Sequence, residues 1–295
     1  MSPVDSHPRV TVIIATYNWA TVLPYSVGSV LDQTFTDFEL LVVGDGCTDE
    51  SGDVVGAIPD ERVRWLDLGA NAGHQSAPNN EGIRQARGSI IAYLGHDDLW
   101  LPHHLESLVT AMDAGATIAH STSLLPAVDG SLRVLPTSGW AWAPGRWVPP
   151  TSMVHHRELV TDAGGWRMPQ QTGNSDPEAD LLARMATIGG LPRWVPRLTC
   201  VKFSAALRKD VYKTRPSHEQ ARWLERIRGA EDPEADLLAL VKSSQPDRDR
   251  PSRHQARRLV RAVRRRIRPA PVPAKVTAEE RWHTNRRFKG LDESG

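Results

Sequence analysis

The chain has 295 residues, of which 40% are hydrophobic and 24% charged, and a net charge of +1. That suits one large soluble domain, or one domain plus an extension. Two cysteines, Cys47 and Cys200, exclude a disulfide scaffold and fit a reducing compartment. No run approaches 18 apolar residues, and MSPVDSHPRV lacks a basic start and apolar core. The expectation is a cytoplasmic protein, with peripheral contact at the inner face of the cell membrane as an option.

The first hundred residues alternate buried-strand and helix patterns. VTVIIATY (Val10 to Tyr17), FELLVVGD (Phe38 to Asp45), RVRWLDL (Arg62 to Leu68) and SIIAYLG (Ser89 to Gly95) read as strands. Short helical stretches separate them, which predicts a mostly parallel sheet with helices on both faces. LPHHLESLVTAMDAGA reads as a helix and ATIAHSTSLL as another strand. From Pro126 to Pro150 the pattern weakens into a hairpin or large loop carrying Trp140, Trp142 and Trp147. A helix at DPEADLLARMATIGG and an extended stretch at LPRWVPRLTCVKFS follow. Beyond residue 205 two further helical stretches lead to SRHQARRLVRAVRRRIR, which has eight arginines and no acid. Leu259, Val263 and Ile267 lie near one face of that segment. The tail after Pro269 reads as loosely structured.

DPEADLLA occurs twice, from Asp176 and from Asp232. Asp as N-cap, Pro in the first turn and Glu at the positive end make it a good helix start. Any functional difference must come from what surrounds each copy.

The strongest local chemistry is YLGHDDLWLP. Asp97 and Asp98 follow a buried strand, where open α/β sheets place ligands. Adjacent carboxylates repel unless a cation, an arginine or hydrogen bonds compensate. The pair therefore reads either as a divalent-cation site facing a diphosphate or as an Asp-rich turn capping the next helix. Asp45 also ends a strand, as a base or sugar contact or as an Asx turn supporting Gly46. Thr16, Tyr17 and Asn18 end the first strand and border the same crevice. No GxGxxG or GxxxxGK[ST] follows that strand, so a dinucleotide or phosphate-loop site lacks support.

VTVIIATYN, SVLDQTFTDFELLVVGDGCTDES, NAGHQSAPNNEGIRQARG and IIAYLGHDDLWLP, in that order, resemble the family 2 glycosyltransferases with a GT-A fold. The resemblance covers roughly residues 8 to 205. It implies residues 1–205 as the catalytic domain, with 1–120 binding the nucleotide sugar and 121–205 the acceptor. Residues 206–295 would form a helical extension with a basic amphipathic segment. It also implies a nucleoside-diphosphate sugar donor, UDP-sugar slightly preferred, with Mg2+ or Mn2+.

Residue by residue, Asp45 resembles the nucleobase-contacting acid, and Asn71, Gly73 and Asn79 the segment beside nucleotide and sugar. Asp98 resembles the metal ligand, Asp97 approaches ribose or donor sugar, and Lys202 contacts diphosphate. Gly44, Gly95, Pro78 and Pro177 stand where the family pattern has other residues. GGW from Gly164 precedes DPEADLLAR, which puts Glu178 near the expected catalytic base, with Asp176 as its rival. Asp180 and Arg184 are spaced to pair on that helix.

The reaction implied is inverting transfer of a sugar to an acceptor hydroxyl on a glycan or small molecule, for cell-envelope glycans or a specialised metabolite. The alternative is a catalytically degraded nucleotide-sugar-binding or scaffolding protein. His155 and His156 could assist a polar acceptor or sit in a turn, and the tryptophans could wall an acceptor or pack the smaller half. Residues 252–268 fit an anionic membrane surface, or a solvated helix. A homodimer is an option, and no nucleic acid is expected.

Overall fold

The computed structural model of the protein describes residues 7–136, 141–144, 146–173, 175–205, 208–244 and 278–289. The four apolar runs become β1 (Val10–Thr16), β2 (Phe38–Gly44), β3 (Val63–Asp67) and β4 (Ile90–Tyr93). They pair in parallel in the order β3-β2-β1-β4. Crossover helices α1 (Leu23–Leu31), α2 (Ser51–Gly56) and α3 (Ser76–Gln85) supply the long connections that parallel pairing needs.

Side-chain alternation sorts the core into two layers. Val10, Val12 and Ile14 of β1 pack on one face with Leu23, Val27 and Val30 of α1. Ile13 points the other way, into a cluster with Leu181, Leu182 and Met185. Those three belong to α6 (Pro177–Thr187). Because both faces are covered, the strands read as continuous apolar runs.

Past β4 the sheet becomes mixed. Strand β5 (Leu99–Trp100) precedes α4 (His104–Asp113), β6 (Ile118–Pro126) and β7 (Leu132–Leu135). β8 (Met153–His156) runs antiparallel to both β4 and β6, and leads into α5 (Arg157–Asp162). β9 (Pro192–Val201) lies parallel to β6 and antiparallel to β5. The pattern of the sequence does not announce β8, because MVHH ends in two polar residues. His155 is nevertheless fully buried, and its Nε2 lies 3.0 Å from the Tyr93 hydroxyl. Burial lowers its pKa to about 4, so it is a neutral core residue and not an acceptor-side group.

After the sheet come α7 (Val211–Thr214), α8 (His218–Gly229) and α9 (Pro233–Ser244). Trp223, Leu224, Ile227, Leu237 and Val241 share an apolar cluster with Leu99, Leu124, Leu198 and Phe203. The tail expected to be loose contains a 12-residue helix, Ala278–Lys289. Its end is anchored by Asp210 N donating to Phe288 O at 2.8 Å and by Arg286 Nη1 donating to Gly73 O at 2.8 Å. No described helix is long and apolar enough to cross a membrane. The basic segment 252–268 and Trp140 lie outside the described residues.

Candidate active site

A cleft of about 660 Å³ opens at the carboxyl ends of β1, β2 and β4, where α/β sheets place their ligands. One wall carries Thr16, Tyr17, Asp45, Asn71, Gly73 and Asn79. The Asp45 carboxylate accepts Ala72 N at 2.9 Å and Gly73 N at 3.1 Å, so it sets the path of that loop. Burial raises its pKa, those two bonds oppose the rise, and Asp67 adds to it. Thr16 Oγ1 and Asn71 Oδ1 are buried with no partner among the described residues. Each such atom costs about 1–3 kcal/mol. Asn18 is not part of this wall. Its side chain accepts Thr48 N at 2.7 Å and donates to Thr48 Oγ1 at 3.0 Å, holding the loop after β2 in place.

The acid pair divides. Asp97 lines the cleft, and burial, followed by repulsion from Asp98, raises its pKa to about 7. Asp98 is fully buried and turned inward. Its Oδ2 accepts Lys202 Nζ at 3.0 Å and the Thr151 hydroxyl, and its Oδ1 accepts Phe203 N at 2.8 Å. Every carboxylate oxygen of Asp98 therefore has protein donors, and the residue does not line the cleft. Among the described residues, no three His, Cys, Asp or Glu side chains converge into a metal-holding group. The placement expected for a divalent cation at Asp98 does not fit this donor set.

His96 also reaches the cleft. Its ring stacks on Trp19 with centroids 4.5 Å apart, and burial lowers its pKa to about 4, with Asp98 opposing. It faces the cleft as a neutral imidazole.

The opposite wall is the start of α6. Asp176 and Glu178 both line the cleft. Glu178 Oε1 accepts Gln75 Nε2 at 2.7 Å. Its pKa is raised by burial and by Asp176, against Lys202 and Lys289. The helix is fixed from behind: Arg184 donates to Asp180 at 2.8 Å and to Gly165 O at 2.7 Å, and also to Ala163 O.

The two DPEADLLA copies now separate. Asp232 caps its helix, with Ala235 N donating to Oδ1 at 3.0 Å. Glu234 accepts Arg197 Nη2 at 2.6 Å and Leu198 N at 2.8 Å. Asp176 makes no side-chain cap bond, so its carboxylate stays at the cleft.

The remaining wall holds Lys202, Tyr212, Arg286 and Lys289. The sequence alone points to Lys202 but not to the other three. RWHTNRRFK offers only a local excess of positive charge, with nothing to say which cleft it meets. Trp147 lines the cleft and is 38% exposed, whereas Trp142 packs against the core cluster around Trp166.

Residues 11–146 match the Glycosyl transferase family 2. An uncharacterized glycosyltransferase of Nostoc sp. is 32% identical over 174 residues, 52% of this chain and 52% of that protein. The succinoglycan biosynthesis protein ExoO of Rhizobium meliloti is 39% identical over 44% of this chain and 38% of its own length. The chain thus spans about half, or less, of these relatives. S. aureus TarS 1-349 in complex with UDP-GlcNAc superposes with a TM-score of 0.54 at 15% identity, covering 80% of this chain and 71% of that one. Mannosyltransferase PcManGT from Pyrobaculum calidifontis, in complex with GDP-Man and Mn2+, gives 0.52 at 17% identity over 97% of this chain and 86% of that one. These likenesses show a shared GT-A-like fold.

Proposed function

Residues 11–146 belong to glycosyl transferase family 2, and we propose from that premise that the chain transfers a sugar from a nucleoside-diphosphate sugar to an acceptor hydroxyl. The observation that carries the reading is the cleft itself. Thr16 and Asn71, each with a buried polar atom that lacks a hydrogen-bond partner among the described residues, line the cleft, and so does the half-buried Glu178.

In this reading the nucleoside lies against Thr16, Asp45 and Asn71. The diphosphate lies near Lys202, and the sugar lies between Asp97 and α6. The acceptor oxygen bonds to the anomeric carbon from the side opposite the diphosphate, which inverts that centre. The bond from that carbon to the phosphate oxygen breaks, and its electron pair leaves with the nucleoside diphosphate. The hydroxyl proton passes to the Glu178 carboxylate. Burial supports this role, since a raised pKa brings a carboxylate nearer to a useful base. Gln75 fixes one carboxylate oxygen and leaves the other to reach the acceptor. Asp176 helps by raising Glu178 further.

The base and sugar of the donor are open in this reading, since the two superposed proteins hold UDP-GlcNAc and GDP-Man. ExoO is a succinoglycan biosynthesis protein, which supports cell-envelope glycan as the acceptor class.

Glu178→Gln tests the assignment. Transfer to a glycan acceptor should fall by about 10²–10⁴-fold, the usual contribution of general-base catalysis, while calorimetric binding of the donor stays. The acid limb of the wild-type pH–rate profile should lie above pH 4.5, because the Glu178 pKa is raised from that value, and should vanish in the variant. A variant with full transfer would remove Glu178 from the mechanism.

A further inference from the structure

A general base must be unprotonated before the acceptor arrives. Glu178 sits where that state is hard to keep. It is half-buried in the first turn of α6, and Asp176 lines the same cleft two residues away. Burial and Asp176 push it towards the protonated form, against its own backbone N–H. A carboxylate so placed stays ionised only where a cation or charged donor answers it. The second DPEADLLA copy has such an answer, since Glu234 accepts Arg197 Nη2 at 2.6 Å and Leu198 N at 2.8 Å. In α6 the bond to the equivalent Glu178 comes from an uncharged amide, Gln75 Nε2 at 2.7 Å.

Charged groups reach this part of the cleft from several elements. Asp97 follows β4, Lys202 follows β9, and Arg286 and Lys289 come from the helix Ala278–Lys289. Behind α6, Asp180 is answered by Arg184 and Arg167. His74, ahead of α3, is brought down to about 4 by burial and then by Lys289 and Arg286, so it is neutral. The cations differ in what they face. Lys202 lies 3.0 Å from Asp98 Oδ2, which answers its charge first. Arg286 donates to Gly73 O at 2.8 Å. Lys289 lies three residues further on, on the same face of its helix. That helix packs on α7 and on the turn Pro169–Gln171 ahead of α6. Burial lowers the Lys289 pKa, and the strongest opposition comes from Glu178, ahead of Asp97 and Asp176.

We propose, resting on the sugar-transfer reading above, that Lys289 is a positioning residue whose ammonium is the fixed counter-charge of the Glu178 carboxylate. The C-terminal helix brings it to the cleft, where Arg286 anchors the helix to the Gly73 loop. Burial makes Glu178 a stronger base, and Lys289 limits the rise so that the carboxylate is still ionised when the acceptor binds. A part of the chain beyond the family-matched residues thereby sets the working pH of the base.

Carbon-13 NMR of the full chain, labelled at glutamate side-chain carboxyls, reads this directly, since the Glu178 signal is the one missing from Glu178→Gln. In Lys289→Met the Glu178 titration should move to higher pH. The ionised fraction at the wild-type midpoint should fall about fivefold, the effect of losing a charge partner worth about one pH unit. Lys289→Gln should do the same, and Lys289→Arg should restore the wild-type curve. Near-UV circular dichroism and Tm establish that each variant is folded. Turnover of UDP-GlcNAc or GDP-Man should fall by the same factor at that pH and recover at higher pH, whereas a structural role lowers it at every pH. An unmoved Glu178 titration in folded Lys289→Met or Lys289→Gln, or a displacement that Lys289→Arg does not reverse, overturns the counter-charge and leaves the sugar-transfer reading standing. Failure of that reading would appear in the Glu178→Gln transfer assay and would not move this titration.

Discussion

A Cβ at position 44 would lie 2.7 Å from the Trp65 ring, and one at position 95 would lie 2.6 Å from Asp98 Oδ2. Both glycines stand where related motifs carry acids, so in the sequence they look like losses. In the fold the space of each missing side chain is taken by a neighbour, so each absence is built into the packing. The neighbouring Asp97 carries a cost of its own. Burial, then Asp98, raise its pKa from 3.8 to about 7. The folded state therefore holds the Asp97 proton more tightly than the unfolded chain does. Stability on this account is intact below about pH 3.8, falls as pH rises through the window to about 7, and stays reduced above it. Asp97→Asn should raise Tm at pH 8 by at least about 2–4 °C, the shift that 1 kcal/mol gives in a large domain, and leave it almost unchanged near pH 3.5. Equal shifts at both pH values would show that titration is not the cause. The presence of an acid pair after β4 was legible from the sequence, but which acid faces the cleft was not. Adjacent turn residues point in different directions, and only the positions of Thr151, Lys202 and Phe203 decide that Asp98 turns inward.

The same eight residues begin α6 and α9, yet their acids do different work. In α9 the first Asp caps and the Glu bonds to Arg197 and Leu198 N. In α6 neither acid is used that way, since Asp176 makes no cap bond and Glu178 meets Gln75. Asp232→Ala should cost about 1 kcal/mol in urea unfolding, the usual worth of an N-cap, with transfer activity unchanged. Asp176→Ala should leave stability nearly unchanged and lower the rate, because its charge helps raise Glu178. The reverse pattern would assign the catalytic acids to the wrong helix. Helix propensity made both elements legible, and the GGW ahead of Asp176 pointed to the copy that lines the cleft. β8 escaped notice because His155 counts as polar until the Tyr93 hydroxyl gives it a buried partner. The last helix escaped because AEERWHTNRRFK has too few apolar residues to mark a face.

At the scale of the whole molecule, the apolar clusters and part of the cleft wall come from different parts of the chain. Among the described residues the four apolar clusters run from Val10 to Val241, with none of their members in the helix Ala278–Lys289. Asp210 N donates to Phe288 O and Arg286 donates to Gly73 O, and these polar contacts help tie that helix to the rest. Surface hydrogen bonds of about 0.5–1.5 kcal/mol each are small against the burial of dozens of apolar side chains at about 1.5–3 kcal/mol each. A chain ending at Ser244 should therefore unfold cooperatively with Tm within a few degrees of the full chain. Its affinity for nucleoside diphosphate should fall, because Arg286 and Lys289, which line the cleft, leave together. Calorimetry on the truncated and full chains, beside thermal melts of both, separates the two roles. A large drop in Tm would make the helix a structural strut. Unchanged affinity with unchanged Tm would detach it from the cleft altogether. The expected split, a stable fold with a weakened donor site, would mean that one wall of the site comes from a segment on which the folding of the rest does not depend.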